Sequence, residues 1–410
     1  MSNKISFPLW LVIIMNLNIM IGAGVFINAT SLTMQAGPFG FLSYLTVACI
    51  LLPLVLVIAQ LSKIHKATEG GLYTYSKEGI GDWAGNFSAF AYFFGKSASI
   101  SVLITAIAKY LYDSFPALNT IPITYSKITF LILILFLNSF GVKIGGKIQI
   151  GFMFFKIVPL VLVILLGIIF FNPSLFHFNT INLTDFTGSL SIAMYALIGF
   201  EACCLIGHTV ASAEKNLSRA VVISFLLVAS IDTLFQNSIF GVLGTTLSNG
   251  QAPISAFFTK LLENFPLTQL ILPKVLNIFV VIAILGAAYG MVYINSWNLF
   301  ITSKEKTSKL NMLITKLNSQ GTPITCLFLQ GLIILFCITI KVNITFLSRL
   351  AVLGILTSYT LSAISLFIAY KTRRKKIKLP QIITILSLIS CFYIGFNCIK
   401  DLIATFKNFV

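Results

Sequence analysis

Long apolar runs alternate with short polar stretches from Leu9 almost to the C-terminus. Runs of roughly 18 or more apolar residues are long enough to cross a bilayer. The pattern predicts eleven spans, at roughly 9–33, 39–61, 84–112, 122–140, 150–171, 189–211, 220–244, 273–301, 323–341, 345–370 and 380–400. The chain therefore reads as an all-α integral membrane protein, with one transmembrane domain over 1–410. The polar, glycine-rich loop from Ser62 to Trp83 is expected to hold a short helix at the cytoplasmic face, and Asn249 to Pro273 another outside. No stretch is hydrophilic enough for an appended soluble domain, and the first run is too long for a cleavable signal.

Composition agrees: 57% of residues are hydrophobic and 10% charged, against about a quarter charged in soluble domains. The net charge of +17 would suit nucleic acid, but its placement argues otherwise. Lys and Arg collect in alternate loops, at Lys63 and Lys66, Lys143 and Lys147, Lys215 and Arg219, Lys304 to Lys316, and Arg373 to Lys376, while Phe171 to Gly188 has none. That alternation marks the cytoplasmic side. It sets the N-terminus inside, and an odd span count leaves the C-terminus outside. The run at Arg373 reads as a topology anchor, with anionic-lipid contact a lesser role. Seven cysteines show no CxxC pair and no metal spacing with His, so no cofactor or metal is expected. Most lie in apolar runs, where Cys acts as a small hydrophobe, and Cys203-Cys204 is a vicinal pair. Three scattered histidines and one intramembrane Glu make no catalytic cluster, so no enzyme activity is expected. A channel would need a repeated filter or charged ring, and the sequence shows neither.

The chemistry gathers at two interruptions. In the first span, Ile21-Gly22-Ala23-Gly24-Val25-Phe26 places two glycines where they weaken a helix. Glycine in a membrane helix serves close packing or frees backbone groups for a solute, and this segment alone does not choose. The sixth span repeats the feature in Tyr195-Ala196-Leu197-Ile198-Gly199-Phe200-Glu201, now with a carboxyl. Paired interruptions opening the two halves point to an inverted-repeat transporter, with repeats of about 9–171 and 189–370 and an extra helix at about 380–400. Half-helix N-termini suit a carboxylate and opposed carbonyls an ammonium, so the site reads the two ends of an amino acid.

Charges inside spans are expensive. They are Glu201, Asp232, Lys96, Lys109, Lys156 and Arg349. Lys109 and Arg349 are expected to snorkel outward. Lys156, in the first two turns of span five, has only Glu201 and Asp232 as carboxylate partners within spans. A structural ion pair and proton coupling are both open for Lys156 and Glu201. His208 reads as an interface residue rather than a proton relay.

These residues resemble the amino acid–polyamine–organocation permeases. Asn18 to Phe26 is similar to that family's first-helix motif, Gly199-Phe200-Glu201 to its sixth-helix motif, and Gly70-Gly71-Leu72-Tyr73-Thr74-Tyr75 to its GGxYxY signature. Asn138 to Lys143 with Lys147 and Gln149, then Glu214-Lys215-Asn216 and Gly321-Thr322-Pro323, continue the match over nearly the whole chain. Departures are Ala67 and Glu69 in place of prolines before the double glycine, Leu217 after Asn216, and Met291 where arginine–agmatine exchangers carry tryptophan. The resemblance implies a five-plus-five inverted-repeat fold with helices 1 and 6 discontinuous, alternating access, and residence in the bacterial cytoplasmic membrane. It implies a small amino acid as substrate, its carboxylate at the amides near Ala23 and Gly24 and its ammonium at carbonyls of Met20, Tyr195 and Ile198. Gly22, Gly199 and Met291 complete the expected lining, and Lys156 and Glu201 are the expected coupling groups. Lys156 would fill the place of a sodium ion, making transport sodium-independent and either proton-coupled or exchanging. A polyamine or amine antiporter is the alternative, and it calls for a site acid beyond Glu201.

Overall fold

The computed structural model describes residues 6–65, 70–176, 183–249, 252–304, 311, 314–340, 343–372 and 377–407. Lys66, Ala67, Glu69, most of the basic loop from Lys304 to Lys316, and Arg373 to Lys376 lie outside the described residues, as does the side chain of Lys143.

Every expected span is helical. The first is split into α1 (Leu9–Met20) and α2 (Ala23–Ala36), and the sixth into α8 (Leu183–Leu197) and α9 (Ala202–Leu205). Between them run α3 (Gly40–Ile64), α4 (Leu72–Gly79), α5 (Asp82–Ser114), α6 (Ile123–Asn138) and α7 (Gly141–Ile169). After them come α10 (Ala213–Leu243), α11 (Pro253–Leu261), α12 (Pro266–Lys304), α13 (Ile324–Thr339), α14 (Ile344–Thr372) and α15 (Gln381–Lys407). The short helices expected in the two long loops are α4 and α11. Among the described residues, eight helical stretches are long and apolar enough to cross a membrane. One of these, Ala23–Ile64, is α2 and α3 joined through the turn Gly37–Phe39, and α1, α6 and α13 are shorter apolar helices.

Two spans run longer than expected. Helix α7 starts at Gly141 rather than near 150, because the polar residues Lys147 and Gln149 extend it without breaking it. Helix α12 has 39 residues, about 58 Å at the usual helical rise, so it outreaches the roughly 30 Å apolar layer.

Helix α2 packs on α8, α3 on α10, α5 on α12 and α6 on α13, so each of the first four spans meets the one five later. Large apolar side chains face outward along α7 (Phe154, Ile157, Val161, Leu165, Ile168) and α15 (Ile382, Ile389, Phe392, Phe396). In water such faces would drive association; here lipid covers them. Inside, small residues bring backbones together. A Cβ on Gly354 would sit 2.5 Å from the Ala91 carbonyl and 2.8 Å from Gly95 Cα, so α5 and α14 cross there without side chains between them. That contact sets Lys96 and Tyr359 at one depth. Asparagines then stitch the helices: Asn295 donates to the Phe93 carbonyl at 3.1 Å and Asn298 to that of Ala89 at 2.9 Å.

Candidate functional site

The first helix ends because Ile21 (φ −76°, ψ 84°) and Gly22 (φ −112°, ψ −138°) leave helical geometry. Neither φ is left-handed, so glycine is required here by space. A Cβ on Gly24 would lie 2.7 Å from Ala196 Cβ and 2.9 Å from Ala196 Cα, and one on Gly22 3.3 Å from Ala287 and Leu103. The second break differs: Gly199 has φ +121°, a conformation side chains rarely adopt. Helix α2 starts without a side-chain cap, which leaves its first amides free to face a solute.

Buried asparagines satisfy the rest of the broken backbone, as membrane depth demands. Asn16 donates to the Phe200 carbonyl at 2.8 Å and accepts from the Cys203 amide at 3.1 Å, tying α1 to the second break. Asn18 donates to Gln149 of α7 and to the Gly286 carbonyl of α12.

A narrow cavity of about 20 Å³ lies where the breaks meet. Of the expected lining residues, Met20, Gly22, Ala23, Gly24, Tyr195, Ile198 and Met291 all border it. Gly199 is not on its wall; it sets the turn behind it, 3.8 Å (from a notional Cβ) to Lys96 Nζ. Lys96, Ser99, Leu103, Ala196, Val352 and Ile355 complete the wall.

Neither Glu201 nor Lys156 borders the cavity, and they do not pair with each other. Glu201, fully buried, accepts from Lys96 Nζ at 3.0 Å, from the Tyr92 hydroxyl at 2.7 Å and from the Tyr359 hydroxyl. Lys156 lies at mid-length in α7, not in its first two turns, and donates to the Asn18 carbonyl at 2.6 Å. No ion pair joins it to Glu201 or Asp232. The lysine thus closes the last turn of α1, whose carbonyls have no helical partner. Lys109 is exposed, as a snorkelling residue should be. Arg349 is not: it is buried, donates to the Ser191 carbonyl at 2.8 Å and hydroxyl at 2.9 Å, and pairs with Asp401 of α15 at 3.1 Å. His208 lies tilted against Trp297 with ring centroids 5.5 Å apart, an interface position.

A second cavity, of about 340 Å³, opens beyond the first towards the far end of α2, lined by Asn28, Gln35, Ser191, Ser348 and Arg349 among others. Ala23, Gly24 and Tyr195 border both spaces. The Tyr195 hydroxyl is 3.0 Å from that of Ser99 on α5, a bridge between α8 and α5 that separates them. At the opposite end, Phe7 and Val210 form a parallel backbone bridge, with Phe7 N–H donating to Thr209 at 2.8 Å and Ala211 N–H to Phe7 at 2.9 Å. The chain before α1 is thereby tied to the chain after α9.

Residues 7–406 match the family described as amino acid permease. The chain belongs to the amino acid permease family. This permease is similar to the aspartate-proton symporter of Bacillus subtilis, 24% identical over 383 residues, 88% of this chain and 72% of that protein. It is 28% identical to the putrescine transporter PotE of Haemophilus influenzae over 389 residues, 90% of this chain and 85% of that one. With the aromatic amino acid transport protein AroP of Escherichia coli K12 it shares 24% over 362 residues, 84% and 75% of the two chains. It is a multi-pass membrane protein of a transporter family.

Sequence reading of the permease missed the pairing of Lys96 with Glu201 and the parts of Tyr92, Tyr359 and Ser99. Lys96 carried a signal, being a charge amid Gly95-Lys96-Ser97-Ala98-Ser99 at mid-span, where burial demands a counter-charge. Tyr359 carried none, because its role depends on how α14 crosses α5.

Proposed function

We propose that this permease carries a small amino acid by alternating access, without sodium, and that the cavity between the broken helices is its binding site. The observation that carries the reading is the meeting of free amides at the start of α2 with the open ends of α1 and α8 around one cavity. A substrate carboxylate takes the amides of Ala23 and Gly24, and the ammonium takes carbonyls of Met20, Tyr195 and Ile198. Met20, Gly22 and Met291 shape the wall, and Gly199 gives the second break its turn. The contacts between spans one and six, two and seven, three and eight, and four and nine support two repeats, of about 9–171 and 189–370. Breaking the Tyr195–Ser99 bridge admits substrate from the wider cavity, and breaking the Phe7–Val210 bridge releases it on the other side.

Similarity to a putrescine transporter favours a second reading, an amine antiporter. A diamine needs a free carboxylate in the site. Glu201 is already engaged by Lys96, Tyr92 and Tyr359, which supports the amino acid. Counterflow into proteoliposomes preloaded with each amino acid or amine separates the two. Labelled amino acid should enter against its own unlabelled form in sodium-free buffer. Entry against putrescine alone would establish the amine reading instead.

Lys156 and Glu201 are proposed as the groups that couple the site to its surroundings. With Lys156 bonded to Asn18, Lys156→Ala opens the last turn of α1 and should abolish counterflow. Full uptake by that variant, with an unchanged pH profile, would show that the lysine neither braces nor couples. A sodium requirement in the parent protein would refute the sodium-independent mechanism.

A further inference from the structure

The pocket makes no use of Asp232. This residue, in the middle of α10, is 1% exposed, and its Oδ1 has no hydrogen-bond partner. No ion pair to it occurs among the described residues.

The elements around α10 bring it no cation. Helix α3 contributes Tyr44, whose buried hydroxyl has no hydrogen-bond partner and is close enough to the carboxyl to feel its charge. Helices α1 and α2 have no titratable side chain. Lys156 of α7 is engaged by the Asn18 carbonyl and Lys260 of α11 by that of Val242. Helix α8 carries Asp185, exposed at its outer end, and Tyr195 at the pocket, while α9 and the turn after it hold Cys203, Cys204 and His208. On α10 itself, Glu214, Lys215 and Arg219 stand at the inner end, with Arg219 about 20 Å away along the axis. An isolated ionised carboxylate in such surroundings costs several kcal/mol, and the group takes up a proton instead.

A polar file reaches it from outside. Asn28 borders the wide outer cavity, and the Tyr44 hydroxyl, buried without a hydrogen-bond partner, is close enough to Asp232 to feel its charge. The carboxyl is also tied to a half-helix that has to move. One turn along α10, Gln236 donates to the Ala29 carbonyl and Thr33 hydroxyl of α2 at 3.3 and 3.2 Å. Asn28 donates to the Ile192 carbonyl of α8 at 2.9 Å.

The geometry points to Asp232 as a proton-binding site of the transport cycle, loaded from the outer cavity past Asn28 and Tyr44. A proton from water in that cavity adds to the carboxylate and gives the neutral acid. When α2 and α8 shift and water reaches the group from the other side, the proton leaves and the carboxylate returns. One proton then accompanies each turnover. The inference rests on the transport reading above, and its test keeps the two apart.

Proteoliposomes are assayed for counterflow at equal pH and for accumulation driven by a pH gradient, acid outside. The parent should do both. Asp232→Asn, which mimics the neutral acid, should keep counterflow and lose gradient-driven accumulation, and Tyr44→Phe should slow only the latter. A parent without counterflow overturns the transport reading. Counterflow with no gradient-driven accumulation in the parent, or with the same accumulation in Asp232→Asn, overturns the proton site. Infrared spectroscopy of the parent avoids reliance on a variant that misfolds. A protonated-carboxyl stretch should be present and should shift when aspartate is labelled with ¹³C. Its absence would mean that Asp232 is ionised and the inference wrong.

Discussion

Adding a side chain at Gly24 is expected to stop transport while leaving folded protein in the membrane. The reason is local. A methyl at that position would sit 2.7 Å from Ala196 Cβ and 2.9 Å from its Cα, distances that real Cβ atoms do not tolerate. Either α2 or α8 must then move away from the other, and both border the pocket there. Overpacking of this kind costs about 1–3 kcal/mol, small enough for a large helical bundle to survive. The site bears the damage, because free amides at the start of α2 act only at one distance from the end of α8. Gly24→Ala should therefore depress counterflow strongly and Gly24→Leu abolish it. Removing the opposing methyl gives a control. Ala196→Gly combined with Gly24→Ala restores the clearance and should recover transport, a non-additivity expected of residues in contact. Normal uptake by Gly24→Leu would remove α2 from the binding site. Failure of the double variant to recover would place the defect elsewhere than in this crossing.

Much of the architecture was legible in the chain because it depends on periodicity and length. Apolar runs marked every span, and the paired glycine interruptions marked both breaks. Gly22 and Gly24 were legible as interruptions, and the family resemblance pointed to Met20, Ala23, Tyr195, Ile198 and Met291, whereas Lys96, Ser99, Leu103 and Val352, brought in by other helices, were not legible. The ionic partners were not. Lysine side chains at Lys96 and Lys156 look alike in a sequence, and which one meets Glu201 depends on the α5–α14 crossing at Gly95 and Gly354. The setting of Arg349 was not legible because Asp401, 3.1 Å away in space, lies far on in the sequence and gives no local sign of the pair. The two breaks also proved unlike in cause. Gly24 answers to space and Gly199 to backbone angle, a difference that identical letters conceal.

The pair that the sequence concealed carries the second large effect. Lys96 and Glu201 are 1% and 0% exposed in their side chains and 3.0 Å apart. Desolvating two charges at this depth is offset only while both are present with their hydrogen bonds, here from Tyr92 and Tyr359. Removing one partner leaves the other buried and uncompensated, which costs about 3–5 kcal/mol. Lys96→Met and Glu201→Gln should each lower the melting temperature of the purified protein in detergent and depress substrate binding. The two changes together leave no charge behind, so Lys96→Met/Glu201→Gln should melt well above the value obtained by adding the single losses. Residues in contact show interaction energies of about 0.5–3 kcal/mol in such cycles. The same three proteins also separate bracing from coupling. If the pair only braces the second break, the double variant regains counterflow along with stability. If Glu201 couples the site to transport, the double variant regains stability and stays inactive. Additive losses in melting temperature would mean that the two side chains act independently, and the pair would then hold neither the break nor the pocket wall.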